Sequence, residues 1–190
     1  MNNIIFDDIT KYQIEYLDHE TLQHSQNVSE MVEFIAITMN YSESIPNLKK
    51  ISLFHDIGKT KLPIELLVKP GPLTAEEWKI VKTHTIIGVE ILRDLGYTKE
   101  CLLAVEQHHE KIGGNGYPYG LSGDAIALSA HIISVCDVID ALLSDRSYKK
   151  AWSIEKIRGF FHKNLEGFYQ PVVDVALEHF DELIALRQYV

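Results

Sequence analysis

Apolar and polar positions recur at helical spacing along nearly the whole chain, and no stretch alternates in the way a half-buried strand requires. Residues 1–17 mix Ile4, Ile5, Phe6, Ile9 and Tyr12 with acids and read as a short docking helix or a linker. Residues 18–190 read as one all-α unit with no dividing linker. A long amphipathic helix is expected from about Glu20 to Asn40, with Val28, Met31 and Ile35 on its apolar stripe. A second, from about Ile45 to Ile57, ends in His55-Asp56 and is expected to stop at Gly58. Thr74-Ala75-Glu76-Glu77 has the form of a capping box and opens a helix to about Leu95. Another helix runs from about Lys99 to His109, halted by Gly113, Gly114, Gly116 and Pro118. From Asp124 to Leu143 almost every helical face is apolar, which predicts a central buried helix. Helices from about Ser153 to Asn164 and Pro171 to Gln188 complete a compact bundle.

Composition adds constraints. Apolar residues make up 46% and charged residues 24% of 190, as in ordinary globular proteins. No run approaches the roughly 20 apolar residues of a membrane helix. The first residues carry no basic segment of the kind that opens a secretory signal. Cys101 and Cys136 lie in apolar helical stretches and read as buried free thiols of a cytoplasmic protein. A net charge of −9 argues against a nucleic-acid polymer as partner. A small phosphorylated ligand remains open, because bound metal ions can supply local positive charge.

The chemistry concentrates in nine histidines and a few acids. Glu20 and His24 precede Val28, Met31 and Ile35 at steps that put them on the apolar stripe, where an unpaired carboxylate is costly. His84 shares a face with Val81, Gly88 and Ile91, and Gly88 would let another backbone approach. Asp137 and Asp140 sit in the most apolar helix and need strong compensating partners. His108 and His109 point about 100° apart on a helix. Each alone also fits a helix cap or a satisfied core histidine. Together, Glu20, His24, His55, Asp56, His84, His108, His109 and Asp137 form a nitrogen and oxygen ligand set without thiolate, suited to iron, manganese or zinc. Eight ligands exceed one ion, which implies at least two metals with Asp56 as a plausible bridge.

The order of motifs is more specific than any one of them. His55-Asp56-Ile57-Gly58-Lys59, Lys69-Pro70-Gly71, Leu73-Thr74, Glu76-Glu77-Trp78, Lys82 and His84 are followed by His108-His109-Glu110, Gly114 and Gly116-Tyr117-Pro118. Gly120-Leu121, Asp137-Val138, Asp140-Ala141-Leu142, Arg146 and Tyr148-Lys149 complete the series. This series, over about residues 20–152, resembles the HD-GYP family of HD-domain phosphohydrolases. The resemblance implies an all-α bundle around a buried multinuclear metal site. It also implies hydrolysis of a cyclic dinucleotide, chiefly cyclic di-GMP, to linear pGpG and onward to GMP. Two or three divalent ions, iron or manganese, are implied, with Glu20 four residues before His24 as in three-metal members.

The same resemblance gives catalytic roles to Asp56, Lys59 and Asp140, and substrate contacts to Lys59, Arg146, Lys149 and Tyr117. It makes Gly116-Tyr117-Pro118 a docking point for a diguanylate cyclase domain. The chain departs from the family at Lys111, Ile112 and Gly113, where Arg, an aromatic and Asp are usual. It departs again at His131, Leu143 and Ser147, where Arg, Thr and Pro are usual. No proposed ligand is replaced, so the departures bear on substrate preference. A slow nucleotide- or partner-binding module, or an HD enzyme acting on another nucleotide phosphoester, are the alternatives. The sequence leaves oligomeric state unread.

Overall fold

A computed structural model describes residues 19–144 and 150–187, and the N-terminal segment 1–17 lies outside them. Among the described residues the chain is helical and contains no strand. The α-helices are α1 (His19–Thr38), α2 (Ile45–Ser52), α3 (Ile64–Leu67), α4 (Ala75–Lys82) and α5 (His84–Asp94). They continue as α6 (Lys99–Gln107), α7 (Leu128–Leu143), α8 (Ile154–Lys163), α9 (Gln170–Glu178) and α10 (Phe180–Ala185). Helix α7 is the central one, buried from Ser129 through Cys136 and again at Ile139, Asp140 and Leu142. It packs against α1, α6 and α9, while α1 also packs on α2 and α9. One apolar core runs from Val28 in α1 to Leu183 in α10. Cys101 and Cys136 are free and buried in it. No helix among the described residues is long and apolar enough to cross a membrane.

The helix starts follow local chemistry. Thr74 and Glu77 close the expected capping box reciprocally. Ser44, Thr98 and Ser153 accept backbone N–H groups at the starts of α2, α6 and α8. The helix ends differ from expectation in four places. The helix expected to reach Ile57 ends at Ser52, and His55-Asp56 lie in a turn before a 3₁₀ segment, Ile57–Lys61. Two hydrogen bonds explain the stop. Ser52 Oγ donates to the Lys49 carbonyl, which bends helices. His55 Nδ1 is bonded to the Ser52 carbonyl, which a continuing helix would pair with the Asp56 N–H.

The helix expected over 74–95 breaks at Thr83, whose hydroxyl donates to the Ile80 carbonyl. The expected Asp124–Leu143 helix begins as a separate 3₁₀ turn, Gly123–Ala125, and the C-terminal helix breaks at His179.

Gly58 acts by close approach and not as a left-handed cap. A Cβ there would lie 1.9 Å from the His84 carbonyl oxygen and 2.7 Å from the Gly88 nitrogen. Backbone-to-backbone packing therefore locks the 3₁₀ segment onto α5, and this contact sets His55-Asp56 against His84. Gly58→Ala should lower stability on the order of 1–3 kcal/mol, read by thermal denaturation of the metal-free protein. An unchanged Tm would contradict the close approach.

Candidate metal centre

Seven of the side chains expected to ligate come together from four helices or their flanks and from the turn after α2. His55 and Asp56 occupy that turn, His84 opens α5, and His108 and His109 follow the last turn of α6. His24 lies near the start of α1 and Asp137 in the second half of α7. They form two groups among the described residues: Asp56, His84, His108 and His109; and His24, His55 and Asp137. Within each group the ligand atoms lie within 4.8 Å of one another. The His55 and His108 rings, 5.3 Å apart, join the two.

Three of these imidazoles are held by one device. His55, His84 and His108 use Nδ1 to bond the carbonyl three residues earlier, Ser52, Val81 and Val105, at 2.8, 2.8 and 2.6 Å. A carbonyl only accepts, so Nδ1 carries the proton and Nε2 presents a bare lone pair. All three Nε2 atoms are buried without a hydrogen-bond partner, and so is Asp56 Oδ1. Four orphaned acceptors in one place oppose folding unless a cation meets them.

Asp56 stands between the groups. Its Oδ1 is 3.3 Å from His84 Nε2 and its Oδ2 is 3.4 Å from His55 Nε2. Each carboxylate oxygen thus addresses one group, the disposition of a bridging ligand. Lys59 Nζ contacts Oδ2 from the partly exposed rim. Burial would raise the Asp56 pKa, but the Lys59 ammonium beside it holds it well below the usual carboxylate range.

Burial favours the neutral form at three imidazoles, those of His84, His108 and His109. It drives His108 down to about 3 and pushes His109 and His84 down as well. His24 goes the other way. Burial would lower its pKa, yet hydrogen bonds to Asp137 and Asp140 hold it up at about 9. Its Nε2 lies 3.0 Å from Asp137 Oδ1 and its Nδ1 2.7 Å from Asp140 Oδ2. In the metal-free protein a proton on Nε2 thus occupies the place between two ligand atoms where a cation would bind. The residues fit divalent metal on three counts: orphaned lone pairs, a carboxylate shared between groups, and a mixed nitrogen and oxygen donor set.

Asp140 is wholly buried and accepts from His24 Nδ1 and from Asn27 Nδ2 at 2.9 Å. Asn27 escaped the sequence reading although it lies three residues after His24 on the same helical face. Arg187, which also bonds Asp140 at 2.8 Å, gave no sequence signal. Glu20 is exposed in the first turn of α1, outside both groups. The stripe expected to carry it inward points beyond the end of the core there. Arg146 and Lys149 lie outside the described residues.

Tyr117, expected as a substrate contact, has its ring engaged by the protein. It stacks on His109 at 4.7 Å and 30°, meets His84 edge-on at 6.3 Å, and has Lys82 Nζ 5.1 Å from its centre. It buttresses two ligand imidazoles. Its loop is clamped by buried Glu110, whose two carboxylate oxygens accept the N–H groups of Tyr119 and Leu121 at 2.7 and 3.0 Å. Gly113, one of the family departures, donates its N–H to the Glu166 carbonyl at 2.9 Å, and a Cβ there would lie 3.1 Å from that residue. Glu166, in the turn Leu165–Gly167, thus crowds the position where a side chain at 113 would begin. Buried His131, another departure, stacks on Tyr169 at 4.9 Å.

Two predictions follow from this geometry. Tyr117→Leu should weaken metal at the His84/His108/His109 group roughly tenfold and Tyr117→Phe should not, as measured by Mn²⁺ titration; equal affinities in all three would contradict the buttress. Filling the His24 group must displace the proton that His24 holds up to about 9. Affinity there should therefore rise with pH until about 9, whereas the group containing His108, whose imidazoles are all pushed below their ordinary value, should show no such rise between pH 7 and 9. Calorimetry in buffers of different ionisation enthalpy counts the released protons, and binding without proton release would refute the assignment.

The HD domain family matches residues 13–158. The chain is 40% identical over 181 residues to 3'3'-cGAMP-specific phosphodiesterase 2 of Vibrio cholerae, covering 92% of this chain and 34% of that protein. It is 35% identical over 161 residues to the cyclic di-GMP phosphodiesterase response regulator RpfG of Xanthomonas campestris, covering 83% and 43% respectively. The chain thus spans well under half of these curated relatives. Among solved structures, the HD domain of L. monocytogenes phosphodiesterase PgpH superposes with a TM-score of 0.68 at 19% identity, over 93% of this chain and 95% of that one. Bd1817 from Bdellovibrio bacteriovorus superposes at 0.66 and 18% identity, over 85% and 52%. With its His55-Asp56 pair at the junction of two ligand groups, the chain belongs to the HD domain family and is of the HD-GYP type.

Proposed function

We propose that this chain is a metal-dependent phosphodiesterase that opens a cyclic dinucleotide, cyclic di-GMP foremost and 3'3'-cGAMP as its competitor. The proposed setting is the cytoplasm, where its two buried thiols stay reduced. The observation that carries the reading is Asp56, with each oxygen facing a separate group of ligand atoms. The relatives named as phosphodiesterases for these two messengers support the substrate class. Iron or manganese suits the imidazole and carboxylate donors.

Divalent ions held at such a site supply Lewis-acid charge to phosphoryl oxygens and lower the pKa of water towards ~7. The chain's own residues prepare that chemistry. His84 and His108 stay neutral with the proton held on Nδ1, so their Nε2 atoms need lose no proton to ligate, and His109 is neutral beside them. Asp56 stays charged and spans the groups. Asp140 fixes the ring of His24. Lys59 is the cation beside Asp56 and reaches the rim, so it is placed to meet an incoming phosphodiester. Arg146 and Lys149 are assigned to the same phosphate by the family resemblance. Tyr119 is 58% exposed beside the buried clamp, so a docked diguanylate cyclase domain would meet Tyr119 rather than Tyr117.

The test loads the protein anaerobically with Fe²⁺ or Mn²⁺ and supplies cyclic di-GMP, 3'3'-cGAMP and linear pGpG. Hydrolysis of a cyclic substrate is expected, abolished by Asp56→Ala together with metal binding. Lys59→Met should keep its metals and lose on the order of 100-fold in kcat/KM. Bound metal without hydrolysis of any of the three would favour a binding module. Glu20→Ala should retain two ions per chain; a third ion present in the wild type and lost here would assign Glu20 to it, and retention of fewer than two would place Glu20 in the bridged pair.

A further inference from the structure

Beyond residue 158, where the HD domain match ends, one side chain reaches back to the metal centre. Arg187 follows α10 and spreads its guanidinium over the end of α7. Its Nε donates to Asp140 Oδ1 at 2.8 Å, Nη1 to the Leu143 carbonyl at 3.2 Å, and Nη2 to Ser144 Oγ at 2.8 Å. Ser144 Oγ in turn donates to the Asp140 carbonyl at 2.8 Å and lies 3.3 Å from its Oδ2. Asp140, 0% exposed, thereby has Arg187 and Asn27 on one oxygen and His24 and Ser144 on the other.

A carboxylate with donors on both oxygens cannot rotate, so the imidazole it holds cannot tilt. His24 Nδ1 is fixed to Oδ2, and the direction of Nε2 towards Asp137 follows from that bond. Arg187 supplies the permanently charged contact in this set and is a planar fork that matches three acceptors at once. It is not needed to dock its own helix, because Phe180 and Leu183 already bury α10 in the core.

We propose that Arg187 is a positioning residue for the His24–His55–Asp137 metal subsite, acting through Asp140. The inference rests on the metal reading of that cluster. Its consequence is that the C-terminal helix, outside the matched family region, sets the affinity of one of the two ions.

Mn²⁺ binding by equilibrium dialysis tests it in the full chain. The wild type should bind two ions. Arg187→Met should leave one ion tight and weaken the other roughly tenfold, as loss of an outer ligand contact does. Arg187→Lys should fall between them. In an Asp140→Asn background, Arg187→Met should cost less than about twofold more, because the two residues act in series. Unchanged affinity in Arg187→Met, or losses that add in the double variant, would overturn the proposal. If Arg187→Met does not fold, the Lys variant decides, and wild-type affinity for both ions overturns it. A wild type that binds no Mn²⁺ overturns the metal reading and the proposal together.

Discussion

The bond from a histidine Nδ1–H to the carbonyl three residues earlier organises the centre of this protein. It occurs at Ser52, Val81 and Val105, and each time the helix changes course within a few residues. One contact therefore does two things. It takes part of the chain out of the helical pattern, and it leaves a buried Nε2 lone pair facing its neighbours. The three resulting acceptors meet Asp56 Oδ1, another orphan, in the same interior. Without a cation this is an unfavourable collection, and the tight backbone packing of Gly58 on His84 and Gly88 holds it together.

Charge balance explains the rest of the arrangement. Three buried or nearly buried carboxylates, Asp56, Asp137 and Asp140, would repel one another in a low-dielectric interior. In the metal-free state Lys59, protonated His24 and Arg187 balance them. Lys59 and His24 meet the ligand carboxylates Asp56 and Asp137 directly, whereas Arg187, of the three carboxylates, meets only Asp140. Divalent ions would take over the roles of the first two while the third stays in place. The site is thus built with provisional positive charge where metal belongs and permanent positive charge behind it.

Much of this was legible in the sequence. Helical periodicity located the bundle and the buried α7, and polar residues on apolar faces marked His24, His84, Asp137 and Asp140. The ends of helices were less legible, because they depend on side-chain bonds such as His55 to Ser52 that compete with the helix pattern. Tyr117 was read only as a substrate contact, because sequence cannot show that its ring stacks on the neighbouring His109. Glu20 sits on the expected face but beyond the reach of the core, a matter of helix length and not of spacing. Arg187 could not be found at all, since its partner lies 47 positions earlier and no periodicity joins them.

The central claim is that Asp56 bridges two ions held by two separate groups. Anomalous scattering from crystals of the Mn²⁺-loaded protein tests it most directly. The account predicts two peaks about 3.5–4 Å apart, one beside each Asp56 oxygen, with His84, His108 and His109 around one and His24, His55 and Asp137 around the other. A single peak, or two peaks that Asp56 does not join, would contradict it.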